Sequence, residues 1–199
     1  MSGVLLLKYP LILASSSPRR RELMKLLGLE FSAIPAHIDE RIDFKGDPIN
    51  HVRALSGAKA LVVAEKHPEC LVLGADTVVV IDGLILGKPR DSGEAKEMLR
   101  RLSGRDHLVY TGFTLCLGGS NYSYSEVVKS VVTFQPLTEE EIEWYVSTNE
   151  PYDKAGGYAA QGKGAVFIKE ISGSYTNVIG LPLCEVVDCL KRENFLIFC

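Results

Sequence analysis

Nothing in these 199 residues stays apolar for the 18 or so positions that a membrane-spanning helix needs. The apolar opening at Val4 to Leu7 is interrupted by Lys8 and Pro10, well short of a signal-peptide core. A soluble, unprocessed, cytoplasmic protein with no membrane partner is expected. The five cysteines, Cys70, Cys116, Cys184, Cys189 and Cys199, are an odd number without CxxC spacing or a matching His pair, and read as reduced thiols of a cytosolic protein. The four histidines, His37, His51, His67 and His107, lie in separate contexts and lack metal-ligand spacing. Neither G-x-x-x-x-G-K-[ST] nor G-x-G-x-x-G occurs, and no Ser/His/Asp or Cys/His nucleophile set is apparent. A net charge of −3 without a basic stripe argues against a nucleic-acid polymer as partner, while leaving room for a small nucleotide. Internal repeats, long linkers and low-complexity tracts are also missing. The sequon Asn121-Tyr122-Ser123 is expected to be accidental, since no secretory signal is read.

What is present is a chain with 46% apolar residues, enough to bury a proper core. We expect residues 1–199 to form one domain with lobes that share a cleft. The most informative stretch is Leu11-Ile12-Leu13-Ala14-Ser15-Ser16-Ser17-Pro18-Arg19-Arg20-Arg21-Glu22-Leu23. Ser17 suits an N-cap and Pro18 the first helical position, and Leu23, Leu26 and Leu27 form an i, i+3, i+4 set before Gly28. Three arginines at a helix N-terminus oppose the helix dipole, at a cost of roughly 0.3–1 kcal/mol each. Elsewhere the chain caps by the rule: Asp91 with Glu94, and Thr138 with Glu139, Glu140 and Glu141, read as capping boxes with acidic first turns. A local rule broken at one site points to function there, and a bound phosphate would reverse the sign of the cost. The plainer alternative is that some arginines, Arg21 above all, face solvent or pair with acids.

Further along, Phe31 to Ala36 reads as a strand delivering Asp39 and Glu40 into a polar loop. From Ile49 a helical stripe runs through Val52, Leu55, Val62 and Val63, with Lys59 near its edge. Snorkelling to the surface is the favoured reading of that lysine, and an anion partner the alternative. Leu71 to Gly74 is a buried strand that stops at Asp76-Thr77 and resumes at Val78 to Ile81. Asp82-Gly83 signals a type I′ hairpin, with Leu84 to Leu86 returning toward Gly87-Lys88-Pro89. Asp76 is a lone carboxylate in an apolar run and requires a cation, a metal or several donors. The hairpin could bring Lys88 to it, as a functional pair or as a structural salt bridge. A helix over Asp91 to Leu102, a hairpin of two long strands (His107 to Leu117 and Tyr122 to Phe134) and a helix from Thr138 to Val146 follow. The segment from Tyr152 to Gly164 mixes glycines with aromatic, charged and amide side chains, a composition that admits close approach of backbone to a ligand. Ala165 to Ile171 reads as a strand, Ser172-Gly173 as a turn, and Leu181-Pro182 opens a last helix reaching about Arg192.

Collected, several cations with a few carboxylates suit a polyphosphate held for attack by water, with a divalent metal bridging oxygens. The motifs Ala14 to Leu23, Asp39-Glu40, Ala58-Lys59-Ala60, Gly74-Ala75-Asp76-Thr77-Val78, Gly87-Lys88-Pro89, Tyr152 to Tyr158 with Gln161-Gly162, and Gly180-Leu181-Pro182 resemble those of the Maf family of nucleoside triphosphate pyrophosphatases, in order and over nearly the whole chain. The resemblance implies an elongated α/β fold with a mixed β-sheet, flanking helices and two lobes around a central cleft. It implies hydrolysis of a nucleoside triphosphate between the α- and β-phosphates, with Mg²⁺ or Mn²⁺, as a house-cleaning activity. It assigns Asp76 as proton acceptor, Glu40 as a helper holding metal or water, and Ser15, Arg20, Lys59 and Lys88 as phosphate ligands; Asp76 and Glu40 would be the metal ligands. Arg19, Thr77 and Gln161 match the residue types of the branch acting on dTTP and UTP, and a donor fork with an amide is suited to a pyrimidine edge. A homodimer is common among such proteins. Two alternatives are a non-catalytic nucleotide-binding regulator of cell division and septum formation, and a purine house-cleaning enzyme of the inosine type.

Overall fold

In the computed structural model, which describes residues 5–38 and 47–198, the chain is built around one long strand. Its elements are β1 (Leu5–Leu7), β2 (Leu11–Leu13), α1 (Pro18–Lys25), β3 (Phe31–Ala33), α2 (Pro48–Ala64), β4 (Leu71–Ile81), β5 (Leu84–Leu86), α3 (Ser92–Leu102), β6 (Asp106–Leu117), β7 (Ser123–Phe134), α4 (Glu139–Val146), β8 (Ile168–Ser172), α5 (Tyr175–Ile179), α6 (Leu183–Arg192) and β9 (Leu196–Phe198). β4 does not stop at Asp76-Thr77 as the sequence suggests but runs through them unbroken. Its ladder with β6 continues across both residues, Asp76 opposite Gly112 and Thr77 opposite Thr111, so the polar pair interrupts the apolar pattern without interrupting the pairing.

The main sheet has the order β3-β2-β4-β6-β7-β8, with β5 also paired to β4. β3, β2 and β4 are parallel, while β5, β6, β7 and β8 join antiparallel, giving the mixed sheet expected. β1 and β9 form a separate pair that tethers the two chain ends. Alternation along β4 sends successive side chains to opposite faces. Val72 packs against Ala60 and Val63 of α2, and Val78 and Val80 against Val52, so α2 covers one face. On the other face Leu71, Leu73 and Ala75 meet Leu23, Met24, Val186 and Leu190 of α1 and α6. Val79 and Ile81 instead meet Leu99, Leu102, Ile142 and Tyr145 of α3 and α4. Two cores thus sit on the two halves of one strand. Fully buried leucines such as Leu13, Leu73 and Leu99 contribute about 1.5–3 kcal/mol each.

Glycines set the spacing of α2 on the sheet. A Cβ on Gly74 would lie 2.3 Å from the Ser56 carbonyl oxygen and one on Gly112 2.4 Å from that of Val52, so only glycine allows helix and strands this close. Caps follow the sequence reading in most places. Ser17 accepts from the Arg20 amide, Asp47 from Ile49 and Asn50, and Thr138 and Glu141 complete a reciprocal capping box. At α3 Asp91 accepts from the Glu94 amide, but the Glu94 carboxylate turns outward to the Arg90 amide instead of closing the box. Asp82 and Gly83 both adopt positive φ, as a type I′ turn requires. The strand expected at Ala165 begins three residues later, because Lys163–Phe167 form a 3₁₀ turn. The strand expected over Phe31 to Ala36 ends at Ala33, and the short α5 gave no apolar period long enough to be read. Among the described residues no helix is long and apolar enough to cross a membrane.

Candidate active site

The same edge of β4 receives two strands from opposite ends. β2 pairs with Leu71–Leu73, where the Leu73 carbonyl also accepts from the Ala14 amide at 2.8 Å, and β5 pairs with Val79–Ile81. Residues 74–78 between them have no strand partner on that edge among the described residues. The chain leaving β2 becomes the serine turn and the arginine helix, and the chain leaving β5 becomes Gly87-Lys88. Both exits therefore deliver their polar side chains into the same gap, a cleft of about 670 Å³ lined by Ser15, Arg19, Arg20, Lys59, Asp76, Thr77, Lys88 and Gln161. Eight of the nine site residues anticipated from sequence come together there; the ninth, Glu40, lies outside the described residues, as does Asp39.

Asp76 faces α2 and is only 8% exposed. Lys59, two turns after His51 on the same helical face, is 7% exposed and its Nζ donates to Asp76 Oδ1 at 2.8 Å. The snorkelling reading of Lys59 is thus overturned: the close Gly74 contact draws α2 onto the strand and leaves the ammonium under the sheet edge, where the carboxylate supplies the charge partner. His51 Nε2 lies 3.9 Å from Asp76 Oδ2. Sequence reasoning missed this histidine, although the 51, 55, 59 spacing places it on the Lys59 face. Lys88 shares the cleft but is exposed and makes no ion pair with Asp76. The anticipated salt bridge is therefore not formed.

Thr77, the next residue along β4, points to the other face. Arg20 Nη2 donates to Thr77 Oγ1 at 3.0 Å and Arg20 Nε to the Gly180 carbonyl at 2.7 Å. Thr77 Oγ1 also lies 2.9 Å from Thr111 Oγ1, which donates to the Asn177 carbonyl, and the Asn177 amide donates to Val109 O and Ser130 Oγ. A buried polar chain thus fixes the guanidinium plane. Gly180, at φ +126°, presents its carbonyl from a conformation that favours glycine. Arg19 pairs instead with Asp153 Oδ2 at 3.1 Å, and Arg21 is exposed with no ion pair among the described residues. The three arginines have separate fates, and the plainer alternative holds for two of them: Arg21 faces solvent and Arg19 pairs with an acid. Ser15 is buried and its Oγ accepts from the Ser17 amide at 3.1 Å. His107, also outside the anticipated set, is buried beneath the cleft wall with its Nε2 2.8 Å from the Tyr158 hydroxyl.

A strand edge with a buried carboxylate, a paired lysine and a fringe of arginines and lysines can hold a polyanion and take up a proton beside it. Comparison with known proteins identifies the family. The profile of a family described as Maf-like protein matches residues 10–193. The chain belongs to the Maf family. It is 58% identical over 188 residues to the dTTP/UTP pyrophosphatase of Syntrophus aciditrophicus (strain SB), covering 94% of this chain and 92% of the relative. It is 49% identical over 181 residues to the dTTP/UTP pyrophosphatase of Bacillus cytotoxicus, covering 91% and 94%. A third relative of the same name, from Symbiobacterium thermophilum, is 48% identical over 188 residues, covering 94% and 96%. Among the described residues of this Maf family member, no three histidine, cysteine or acidic side chains converge as a ready-made metal cage. Mg²⁺ is ordinarily held by one or two carboxylates together with substrate phosphates, and Asp76 at the edge of the cleft fits that pattern.

Proposed function

We propose that this Maf protein hydrolyses dTTP and UTP between the α- and β-phosphates, releasing the nucleoside monophosphate and pyrophosphate. The observation that carries the reading is the Asp76–Lys59 pair set in the open edge of β4 and ringed by Ser15, Arg20 and Lys88. Its relatives are named for the same activity. Lys59 occupies Asp76 Oδ1, which orients the carboxylate and leaves Oδ2 to accept a proton. Water attacks the α-phosphorus, its proton passes to Asp76, the bond from that phosphorus to the α,β-bridging oxygen breaks, and pyrophosphate departs with that oxygen, leaving the nucleoside monophosphate. Ser15, Arg20, Lys59 and Lys88 bind the phosphate oxygens, Lys59 also holding the carboxylate. Arg19, Thr77 and Gln161 read the pyrimidine edge. Mg²⁺ or Mn²⁺, held by Asp76 and Glu40, supplies neutralisation of phosphate charge when bound.

The test is pyrophosphate release from purified protein against dTTP, UTP, CTP, 7-methyl-GTP, ITP and XTP, with Mg²⁺ or Mn²⁺. Preference for dTTP and UTP is expected, and preference for ITP or XTP would favour the inosine-type reading. Asp76→Asn should lower turnover about 10²-fold or more while nucleotide binding, followed calorimetrically, is largely kept. Unchanged turnover would remove Asp76 from its role. No release from any nucleotide would favour a nucleotide-binding regulator.

A further inference from the structure

Gln161 is exposed on the glycine-rich loop, so what places its amide in the cleft must be the loop backbone. That backbone is tied on both sides of Gln161 to two side chains. Glu150 Oε1 accepts from the Gly164 amide at 3.0 Å and from the Tyr145 hydroxyl at 2.8 Å, and Oε2 accepts from the Lys163 amide at 3.1 Å. The Tyr145 oxygen in turn accepts from the Ala159 amide at 3.0 Å. The fit leaves no slack: a Cβ on Gly162 would lie 2.5 Å from Glu150 Oε2, and one on Gly164 2.7 Å from the Tyr145 hydroxyl. The same glutamate opens the 3₁₀ turn Glu150–Asp153, and Lys154 Nζ binds its carbonyl oxygen at 3.0 Å. That turn ends at Asp153, whose carboxylate holds Arg19. Burial alone would raise the Glu150 carboxyl, but the Gly164 and Lys163 amides and the Tyr145 hydroxyl hold it below its usual range, so it serves as an anionic acceptor at neutral pH.

From this geometry we infer that Glu150, backed by Tyr145, is a positioning residue for base selection, holding Gln161 from one side and, through Asp153, Arg19 from the other. The inference rests on the reading that this cleft prefers dTTP and UTP. Neither residue lines the cleft, so the effect travels through the loop and should appear in discrimination between bases.

The experiment measures kcat and KM for pyrophosphate release from UTP and from CTP in the full chain, in Glu150→Gln, Tyr145→Phe and Gln161→Ala, and in the Glu150→Gln/Gln161→Ala double variant. Glu150→Gln should lower the UTP:CTP ratio of kcat/KM about tenfold, mainly by raising KM for UTP. In the double variant the ratio should fall by clearly less than the product of the two single effects, because both act on Gln161 and only the part that runs through Arg19 is left to add. Tyr145→Phe keeps the buried ring, and should lower the ratio about threefold; if Glu150→Gln does not fold by circular dichroism, this variant decides. Parallel loss on UTP and CTP, or independent effects that multiply in the double variant, would overturn the inference. A parent protein with no preference for UTP would sink the proposed function instead, whereas a selective parent with unaltered ratios in the variants sinks only this one.

Discussion

Removing the Lys59 ammonium tests how the cleft floor is held. Lys59→Met keeps the length of the side chain and deletes the donor to Asp76 Oδ1, leaving a carboxylate that is only 8% exposed without its 2.8 Å partner. Breaking a buried ion pair by removing one member ordinarily costs about 3–5 kcal/mol. Two features argue for the lower end. The side chains retain 9% and 12% of their exposure through the cleft mouth, and His51 Nε2 stands 3.9 Å from the other carboxylate oxygen. We therefore expect about 3 kcal/mol, or roughly 6–12 °C in Tm for a chain of this size. Asp76→Leu should cost a comparable amount, because it removes the carboxylate to which the buried Lys59 Nζ donates. The Lys59→Met/Asp76→Leu double variant should be much less destabilised than the sum of the singles, with a coupling energy of about 2 kcal/mol or more. Urea unfolding followed by far-UV circular dichroism measures all four corners of the cycle, and pyrophosphate release should be lost in the three variants. Additive single effects, with coupling below about 0.5 kcal/mol, would refute the view that the two charges depend on one another.

Three further outcomes follow from other parts of the molecule. Gly74→Ala should destabilise by about 1–3 kcal/mol and depress turnover, since a Cβ 2.3 Å from the Ser56 carbonyl pushes α2, and Lys59 with it, off the strand; wild-type values in urea melts and kinetics would contradict the close-packing account. Arg20→Lys keeps a cation but cannot hold Gly180 O and Thr77 Oγ1 in one plane, and should raise KM for dTTP about tenfold or more in steady-state assays, with an unchanged KM as the refuting result. Burial pushes His107 down to about 4, from an ordinary value near 6.5. The unfolded chain therefore binds the extra proton between those values, and stability falls as pH drops from about 6.5 to about 4, by at most about 3 kcal/mol. His107→Gln should flatten the urea midpoint against pH over that window, and a profile parallel to the parent would assign the acid sensitivity elsewhere.

Much of this was legible in the residues because local chemistry is written locally. Ser17-Pro18, Asp82-Gly83 and Thr138 with Glu141 each specify their own backbone, and each turn or cap stands where expected. The misplaced charge at the arginine helix marked one wall of the cleft for a similar reason: a dipole rule is violated within a single turn. What could not be read depends on elements distant in sequence. The burial of Lys59 is decided by Gly74 and Gly112, on strands that the helix meets only after folding. The polar chain from Arg20 through Thr77 and Thr111 to Asn177 joins four elements, and no spacing within one of them announces it. His51 lay on a legible helical face, but its value comes from Asp76, 25 positions away. Resemblance to the Maf family brought Gln161 forward; the carboxylate that supports its loop carries no sequence signature beyond a glutamate before a proline.

The continuity of β4 also limits how the cleft can work. The strand that floors it is paired to β6 at ten successive register positions, from Leu71–Leu117 to Val80–Leu108, and both apolar cores are anchored on it. A hinge between the halves would have to break or shear that ladder, so the two sides cannot swing shut like jaws. Substrate capture must be accomplished by what hangs over a rigid floor: the arginine turn, the Lys88 turn and the glycine-rich loop. The Asp76 carboxylate and its lysine stay in register on that floor, and the loops around the cleft can change without disturbing their alignment.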